Sequence, residues 1–380
     1  MRILEVILWV LILCPIYTMV VYPLLMYVLS KVFPGRFVRG PVTPTVTQII
    51  AAFNEEKSIA SKLENSLTLD YPRDKLEILV VSDASTDRTD DIVRGFAERG
   101  VKLLRVEGNL GKSAVLNVAA ERAGGDILAF SDATGHWNVK SIRKMAEHYA
   151  DPRVGCVAGW VAYRYDQSLT AQGFSVYQRF VTSLRRAEAS FGCGIVAPGS
   201  IHSIRKAVFR PLPTTTSGDM SDPFHTAQQG LRTTFEPEAV TWEESRTQVK
   251  DEWEARVRIC MRALDFMVYA LRRFPVLRSP LYCFQVMSHK FLRWLTGPLM
   301  IPILIINAIL IPYHWVYAVL FCLQLAYYGL TLFGYVSSNL GIRVPSLAGL
   351  VFYNSVNLAY IVAMAKYLRG ERVARWKPSR

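Results

Sequence analysis

Two hydrophobic patterns divide this chain of 380 residues: long apolar runs at both ends and a shorter, repeating pattern between them. The first run covers residues 3–30 and contains one charged residue, Glu5. It is long enough to cross a bilayer and too long for the core of a signal peptide. Small residues typical of a cleavage site are missing, so we predict a retained membrane anchor over residues 1–31.

Positive residues follow this run directly. Lys31, Arg36 and Arg39 are the first of them, and segments rich in Lys and Arg stay on the cytoplasmic side of a membrane. We therefore expect the next part of the chain to be cytoplasmic, after a short linker marked by Pro41 and Pro44.

Residues 45–165 alternate between strand patterns and helix patterns. The predicted strands are Val46–Phe53, Leu76–Val81, Val101–Val106 and Asp126–Phe130, and the predicted helices are 57–69, 86–99 and 112–123. Such repetition predicts an α/β fold with a parallel sheet covered on both faces. Ligands of these sheets bind at the carboxyl ends of the strands, so a site is expected there. From about residue 166 to 265 the pattern is mixed and more helical.

Membrane helices are also predicted in the C-terminal region, over residues 280–366. Three apolar segments stand out there, near 295–311, 315–337 and 346–366. The stretch Ser288–Trp294 mixes cations with aromatic residues, which suits a helix lying in the membrane interface.

The tail, residues 367–380, is basic and is therefore expected in the cytoplasm. Three C-terminal crossings after one N-terminal crossing would place it outside. Either one apolar segment is re-entrant or interfacial, or the first segment is a hairpin broken at Pro15 or Pro23. In each case we predict a multi-pass protein of the cell membrane with a cytoplasmic central domain.

Composition supports a membrane location. The mean hydropathy is +0.19, the formal net charge is +13 and the isoelectric point is about 9.5. Because Lys and Arg lie beside apolar spans and no nucleic-acid motif occurs, we expect membrane lipids as partners and no nucleic acid. The six cysteines form no C-x-x-C pair, which argues against a zinc site and favours reduced thiols in a cytosolic domain.

Acidic residues follow three of the predicted strands. Glu55 and Glu56 follow the first, Asp83 and Asp87 the second, and Asp132 the fourth. Each of them could be a helix N-cap, and for Asp87 that interpretation is as good as a functional one. Acids at one sheet edge also suit an enzyme that uses a nucleotide-sugar. Its diphosphate is usually neutralised by a divalent cation held by carboxylates, and the accepting hydroxyl needs a base.

The order and spacing of several short motifs resemble those of the family 2 glycosyltransferases, which have the Rossmann-like GT-A fold. The motifs are Ala52-Phe53-Asn54-Glu55-Glu56, Ser82-Asp83-Ala84-Ser85-Thr86-Asp87, Asn109-Leu110-Gly111-Lys112, Ser131-Asp132-Ala133, Gly218-Asp219-Met220-Ser221-Asp222-Pro223 and Phe235-Glu236-Pro237-Glu238-Ala239. The resemblance implies a catalytic GT-A domain over residues 45–265. It also implies a hexosyltransferase that uses a nucleotide-sugar donor, with a uridine-diphosphate-linked sugar as the leading expectation.

The resemblance implies a nucleotide-binding role for five residues. Ala52 and Glu55 match the first-strand loop that lines the nucleoside, and Asp83 matches an aspartate that accepts a hydrogen bond from uracil. Lys112 matches a lysine near the nucleotide, where its charge can offset the diphosphate, although it could also be a solvated first-turn lysine. Asp132 is the fifth residue to which the resemblance gives a nucleotide-binding role.

Asp132 also matches the first aspartate of the D-x-D metal motif, so the resemblance implies Mg²⁺ or Mn²⁺ as the cofactor. The third position of the motif is Thr134 here. Asp132 would then share the cation with diphosphate oxygens and water.

The resemblance places the catalytic base at Asp219. The family motif has two acids, and Gly218 replaces the first of them. Asp222 is the reserve candidate, but the position of Pro223 favours Asp219. A single carboxylate base suits direct displacement, and family members of this type invert the anomeric centre.

Arg258 matches the arginine of the Q-x-x-R-W motif that processive synthases carry near the membrane entry. The glutamine and the tryptophan of that motif are absent from Ala255–Ile259, and a tryptophan there would stack on an acceptor sugar. We therefore expect transfer of one or a few sugars to a glycan or lipid-linked acceptor. A processive polysaccharide synthase of the same family remains an alternative.

Two hypotheses from different classes of protein compete with this one. A non-catalytic membrane scaffold that binds nucleotide would explain Gly218 and Thr134. A transporter has little support, because the apolar segments contain few buried charges or Gly/Pro breaks. His202, His225 and His289 lack the spacing of metal ligands and are expected to be structural.

Overall fold

The computed structural model describes residues 1–164, 169–191, 193–211, 215–216, 218–244, 249–273, 278–340, 342 and 344–372. Its strands are β1 (Val46–Ala52), β2 (Leu76–Asp83), β3 (Val101–Val106), β4 (Ile127–Asp132), β5 (His136–Trp137), β6 (Val154–Arg164), β7 (His202–Arg205) and β8 (Arg232–Glu244). They form one mixed sheet in the order β3-β2-β1-β4-β7-β6-β8-β5.

The helices of the chain are α1 (Arg2–Ile16), α2 (Tyr22–Val32), α3 (Ile59–Leu67), α4 (Thr89–Arg94), α5 (Lys112–Arg122), α6 (Ser141–Glu147), α7 (Leu169–Phe191), α8 (Gly218–Gln228), α9 (Val249–Leu271), α10 (Pro280–Val286), α11 (Leu292–Leu310), α12 (Trp315–Asn339) and α13 (Ala348–Leu368). The helix predicted over 86–99 is shorter in the structure, because α4 stops before Gly95 and a 3₁₀ turn follows at Ala97–Arg99.

The predicted parallel sheet is confirmed in the first half of the domain. β1 pairs in parallel with β2 and β4, and β2 pairs in parallel with β3. Every residue of β1 is buried. Because side chains alternate along a strand, Ile49 packs in the cluster that includes Val115 of α5, and Ile50 packs in the cluster that includes Leu63 of α3. Helices therefore cover both faces, which explains the unbroken apolar run.

The second half of the sheet is mixed. β7 lies antiparallel between β4 and β6, β6 pairs in parallel with β8, and β5 pairs antiparallel with β8. This arrangement places β7 next to β4, with β6 and then β8 beyond it. Loops that are more than 60 residues apart in the chain thereby reach one edge of the sheet.

Hydrogen bonds fix the linker that precedes β1 to the central domain. The Val38 amide donates to Asp151 Oδ2 at 3.1 Å, and Arg39 Nη1 donates to Glu236 Oε2 at 2.9 Å. Tyr71 OH donates to the Pro44 carbonyl oxygen at 2.6 Å. The linker is thus an ordered part of the domain.

Four helical segments in the described part of the chain are long and apolar enough to cross a membrane. They are Arg2–Val32, Pro280–Tyr313, Trp315–Ser338 and Pro345–Leu368. We call Arg2–Val32 the first apolar helix and Pro280–Tyr313 the second. All of the apolar segments predicted from the sequence fall within these four helices.

The hairpin alternative for the first segment is wrong. The chain continues as one helix from Arg2 to Val32, through Pro15 and Pro23. A π turn at Tyr17–Val21 joins α1 to α2. Proline disrupts helical hydrogen bonding, and the wider turn accommodates this without a break in the helix.

The predicted interfacial helix over Ser288–Trp294 is not a separate element. The stretch lies inside the second apolar helix, where a π turn at Met287–Phe291 joins α10 to α11. Ser288, His289 and Trp294 are buried against the rest of the chain. Their polar groups therefore form contacts within the protein.

Candidate active site

Hydrogen bonds join the loops that follow β1 and β2. The Asn54 side chain accepts from the Thr86 amide at 2.8 Å, and the Glu55 amide donates to Thr89 Oγ1 at 2.8 Å. Ala52 and Glu55 are both buried, and Glu55 Oε2 accepts from Ser58 Oγ at 2.7 Å at the start of α3. Glu55 thus organises the loop that the sequence assigns to the nucleoside.

Asp83 holds the loop that leads into α5. Its two carboxylate oxygens accept from the backbone amides of Leu110 at 2.7 Å and Gly111 at 2.8 Å. The side chain is completely buried. Gly111 has φ +93°, a conformation that only glycine adopts easily. Asp83 therefore sets the position of Lys112, the first residue of α5.

Lys112 and Asp132 meet across this edge of the sheet. Asp132 ends β4, and the Lys112 ammonium forms an ion pair with its Oδ1. Both side chains stay partly accessible, at 23% and 31% of their full exposure. The residues that the resemblance assigns to the diphosphate and to the metal therefore lie side by side.

Asp219 lies close to Lys112, and we call the space between Asp219, Lys112 and Asp132 the cleft. It lies in the first turn of α8 and is exposed, and its Oδ1 accepts from the Gly199 amide at 3.1 Å. A methyl group placed on Gly199 would lie 2.9 Å from this oxygen and 3.4 Å from Lys112 Nζ. The structure therefore brings Asp219, Lys112 and Asp132 together around one space.

Asp222, the reserve candidate for the base, points into the domain. It is buried, and its Oδ2 lies 2.8 Å from His202 Nε2. His202 Nδ1 donates to the Pro198 carbonyl oxygen at 2.8 Å, and the ring stacks on Phe130 at 4.9 Å. This geometry gives Asp222 and His202 a structural role at the loop that carries Gly199.

Glu243 is a site residue that the sequence reasoning missed. It lies near the end of β8, where its side chain is hydrogen-bonded to Ser200 and lies within electrostatic range of Asp132, Lys112 and Asp219. Burial raises the pKa of Glu243, and the neighbouring Asp132 carboxylate raises it further. Like Asp132, Glu243 lies close to the end of a strand, but the mixed pattern of residues 166–265 predicts no strand there.

Arg262 was also missed, and the sequence carries no signal for it. It lies on α9, donates to Ser113 Oγ at 2.8 Å, and is within electrostatic range of Asp219. Burial lowers the pKa of the Arg262 guanidinium, and Asp219 opposes that shift. Arg258, the residue predicted at the membrane entry, is half-buried on α9 about one helical turn before Arg262.

The loop between Asp132 and Trp137 is held by α3. Lys62 Nζ donates to the Gly135 carbonyl oxygen at 2.7 Å and lies 5.0 Å from the centre of the Trp137 ring. Asn65 accepts from the Trp137 amide at 2.8 Å and donates to its carbonyl oxygen at 2.9 Å. Lys62 is completely buried, and burial lowers its pKa to about 7.

The donor set is compatible with a divalent cation at Asp132. Its carboxylate is partly accessible and has the Glu243 carboxyl group within electrostatic range, and carboxylate oxygens are the ligands that Mg²⁺ and Mn²⁺ prefer. The described residues contain no group of three or more His, Cys, Asp or Glu side chains placed to hold a metal. A cation here would therefore depend on phosphate oxygens and water for its remaining ligands.

Comparisons with known proteins give a family and a fold. Residues 47–210 match the family model described as Glycosyl transferase family 2. The "Probable glycosyltransferase YdaM" of Bacillus subtilis (strain 168) is 28% identical over 232 residues, which cover 57% of this chain and 54% of the relative. The poly-beta-1,6-N-acetyl-D-glucosamine synthase of Staphylococcus aureus (strain COL) is 24% identical over 220 residues, which cover 56% of this chain and 53% of the relative. The chain thus spans about half the length of these curated relatives.

A solved structure is similar over nearly the whole chain. It is the mannosyltransferase PcManGT from Pyrobaculum calidifontis in complex with GDP-Man and Mn²⁺, with a TM-score of 0.71 and 24% identity over 97% of this chain and 99% of that one. At this identity the likeness concerns the fold. Residues 47–210 are thus similar to glycosyltransferase family 2, and the chain has a GT-A fold.

Proposed function

We propose that the chain is an inverting glycosyltransferase that moves a hexose from a uridine-diphosphate-linked donor to a glycan or lipid-linked acceptor at the membrane. The observation that carries the proposal is the convergence of Asp219, Lys112 and Asp132 on one cleft. One carboxylate in this trio can serve as the base, and the other two groups can face a diphosphate.

In this mechanism Asp219 takes the proton of the accepting hydroxyl. The resulting oxygen attacks the anomeric carbon as the bond from that carbon to the diphosphate oxygen breaks, which inverts the centre. Lys112 offsets the charge that develops on the departing diphosphate. Asp132 would hold Mg²⁺ or Mn²⁺, and a divalent cation supplies further charge neutralisation there. The Gly199 amide orients Asp219.

On the donor side, Asp83 positions the Leu110–Gly111 backbone, and Ala52 and Glu55 lie in the neighbouring loop. We propose that this region binds the nucleoside. The described apolar helices support a multi-pass membrane protein, and Lys31, Arg36 and Arg39 support a cytoplasmic domain. Arg258 is proposed to lie near the acceptor or the membrane entry.

The test uses the full chain purified in detergent with a panel of uridine- and guanosine-linked sugars and either Mg²⁺ or Mn²⁺. Release of nucleoside diphosphate is measured, and NMR of the product reports the anomeric configuration. We expect turnover of a uridine-linked hexose and an inverted product. In Asp219→Asn the rate should fall by about 10²–10⁴ while donor binding survives. Asp91→Asn, which neutralises an exposed carboxylate on α4, is the matched control.

Each contrary outcome corrects a definite part of the proposal. Turnover restricted to guanosine-linked sugars would overturn the choice of nucleotide. Equal rates for Asp219→Asn and the parent would dismiss the base. Binding of uridine diphosphate without consumption of any donor would favour a non-catalytic scaffold, and long products from single binding events would favour a processive synthase.

A further inference from the structure

A polar cluster lies where the central domain meets the first and second apolar helices. Its centre is Glu188 of α7, which is completely buried. Glu188 Oε1 accepts from Tyr22 OH at 2.6 Å and lies 2.8 Å from His289 Nδ1. Tyr17 OH and Ser288 Oγ form a further hydrogen bond of 2.8 Å nearby. Three separate stretches of chain thus supply polar groups to one region.

Both apolar helices change their winding at this cluster. Tyr17 lies in the π turn Tyr17–Val21, and Ser288 and His289 lie in the π turn Met287–Phe291. Such turns are rare and occur frequently at functional sites. Here each turn supplies a polar side chain to the other helix or to α7.

Three cations lie near Glu188 in the described part of the chain, namely Arg185, Lys290 and Arg293. The Lys290 ammonium lies within electrostatic range of Arg185, Arg293 and Glu188. The Arg293 guanidinium lies 5.1 Å from the Tyr177 ring centre and 3.4 Å from His289 Nε2.

Arg185 Nε is buried and has no hydrogen-bond partner within the described residues. Arg185, Lys290 and Arg293 are all half-buried. A cation that is partly withdrawn from water is costly unless an anion compensates its charge.

Asp219 links this cationic group to the cleft. It lies within electrostatic range of Lys290, and also of Glu243, whose other neighbours are Lys112 and Asp132. The cations at Lys112 and at Lys290 therefore lie near the same base but belong to different groups. If the donor diphosphate lies at Lys112, the second group is available to the acceptor.

We propose that Arg185, Lys290 and Arg293 bind the phosphate of a lipid-linked acceptor, next to the hydroxyl that Asp219 deprotonates. Two arginines and a lysine suit a phosphate group, which offers several oxygens to charged donors. The second apolar helix contributes Lys290 and Arg293, so an adjoining lipid chain could follow it. The inference rests on the proposed function for the role of Asp219, but the binding site itself can be tested alone.

The binding test uses the full chain in detergent without donor. Farnesyl phosphate and farnesol are titrated against the parent and against Lys290→Gln, Arg293→Gln and Lys31→Gln. The parent should bind farnesyl phosphate more tightly than farnesol. We expect the first two variants to lose about tenfold or more in affinity for farnesyl phosphate. Lys31→Gln, which removes an exposed cation at the end of the first apolar helix, should bind as the parent does. Lys290→Arg should restore binding and shows that a loss is not due to misfolding.

Four results would count against the inference or against the function on which it rests. Equal affinity for farnesyl phosphate and farnesol would mean that no phosphate is recognised. Competition by phosphatidylglycerol in bilayer nanodiscs with the same strength would assign the cations to bulk lipid headgroups. Loss of uridine diphosphate affinity in Lys290→Gln would assign them to the donor. Farnesyl phosphate binding that depends on Lys290, in a chain that consumes no donor, would leave the site intact and refute the proposed function instead.

Discussion

The Asp222 carboxylate lies 2.8 Å from His202 Nε2 in the interior of the domain, three residues after Asp219, which faces the cleft. His202 Nδ1 donates to the Pro198 carbonyl oxygen, so the imidazole ring connects the loop that carries Gly199 to the Asp222 carboxylate. Asp219 and Asp222, which the sequence motif presents as two candidates for one role, therefore lie in different surroundings: one is exposed and the other is buried.

This difference predicts that substitution of Asp222 lowers stability, whereas substitution of Asp219 lowers activity and leaves stability nearly unchanged. Asp222→Ala removes one member of a buried pair and should lower the free energy of unfolding by about 3 kcal/mol. Asp219→Asn changes an exposed side chain and should leave unfolding within about 0.5 kcal/mol of the parent. Thermal unfolding followed by tryptophan fluorescence measures both. A strongly destabilised Asp219→Asn, with Asp222→Ala unaffected, would reverse the assignment.

The parallel half of the fold could be predicted because its signal is local. The strands at Ile49 and Leu79 are apolar on both faces, and their ends carry Glu55 and Asp83 directly in sequence. The same adjacency placed Asp132 at the sheet edge. Parallel strands end on the same side, so local patterns sufficed to group these residues.

Several site features depend on contacts that no local pattern reveals. Arg262 reaches the cleft because α9 packs beside Ser113, which is 149 residues away in sequence. The π turn at Met287–Phe291 gives no hydrophobic signal of its own, so the cations and aromatic residues around it suggested a membrane interface. The use of Asp83 as an anchor for the Gly111 amide also needed the three-dimensional position of the loop.

A second prediction concerns Lys112 and Asp132, which neutralise each other in the absence of ligand. Lys112→Gln should weaken binding of uridine diphosphate about tenfold, both with Mn²⁺ and with a chelator present, because the ammonium acts on the phosphate directly. Asp132→Asn should abolish the increase in affinity caused by Mn²⁺. Isothermal titration calorimetry measures both effects.

The matched control for Lys112 is Lys102→Gln, which removes an exposed lysine paired with Glu77 on the neighbouring strand. It should bind uridine diphosphate as the parent does. A Lys112→Gln variant with unchanged affinity under both conditions would make Lys112 a solvated first-turn lysine.

A third prediction concerns Glu236, which joins the linker to the domain through Arg39 and also lies 2.9 Å from His148 Nε2. Burial raises the pKa of Glu236, but hydrogen bonds from His148 and the Glu238 amide, with the charge of Arg39, hold it below its ordinary value of 4.5. The ionised form therefore stabilises the fold above about pH 4.5, and this contribution is lost as the pH falls further.

Glu236→Gln should accordingly lower the free energy of unfolding by about 1–3 kcal/mol at pH 7. The difference from the parent should narrow at pH 4, as measured by thermal unfolding at both values. Glu238→Gln, an exposed neighbour in the same motif, is the control and should match the parent. A deficit for Glu236→Gln that stays the same at both pH values would show that its charge is not what stabilises the linker.

The last prediction concerns Lys62, buried beneath the loop that carries Asp132. Burial lowers its pKa from 10.5 to about 7 in the folded chain, with Asp132 opposing the shift. Between these values the unfolded chain holds a proton that the folded chain has released, so stability should rise with pH, by at most about 1.4 kcal/mol per pH unit. Lys62→Met lacks this contribution. The free energy of unfolding of the parent, minus that of the variant, should therefore increase from pH 7 to pH 10.

Thermal unfolding at each pH unit in that interval measures the gain. Lys57→Met, which changes an exposed lysine just before α3, should run parallel to the parent throughout. If Lys62→Met also runs parallel, Lys62 keeps its proton in the folded chain. Its hydrogen bond to the Gly135 carbonyl oxygen and its approach to the Trp137 ring would then be contacts of a charged group, held beneath the cleft by the nearby Asp132 carboxylate.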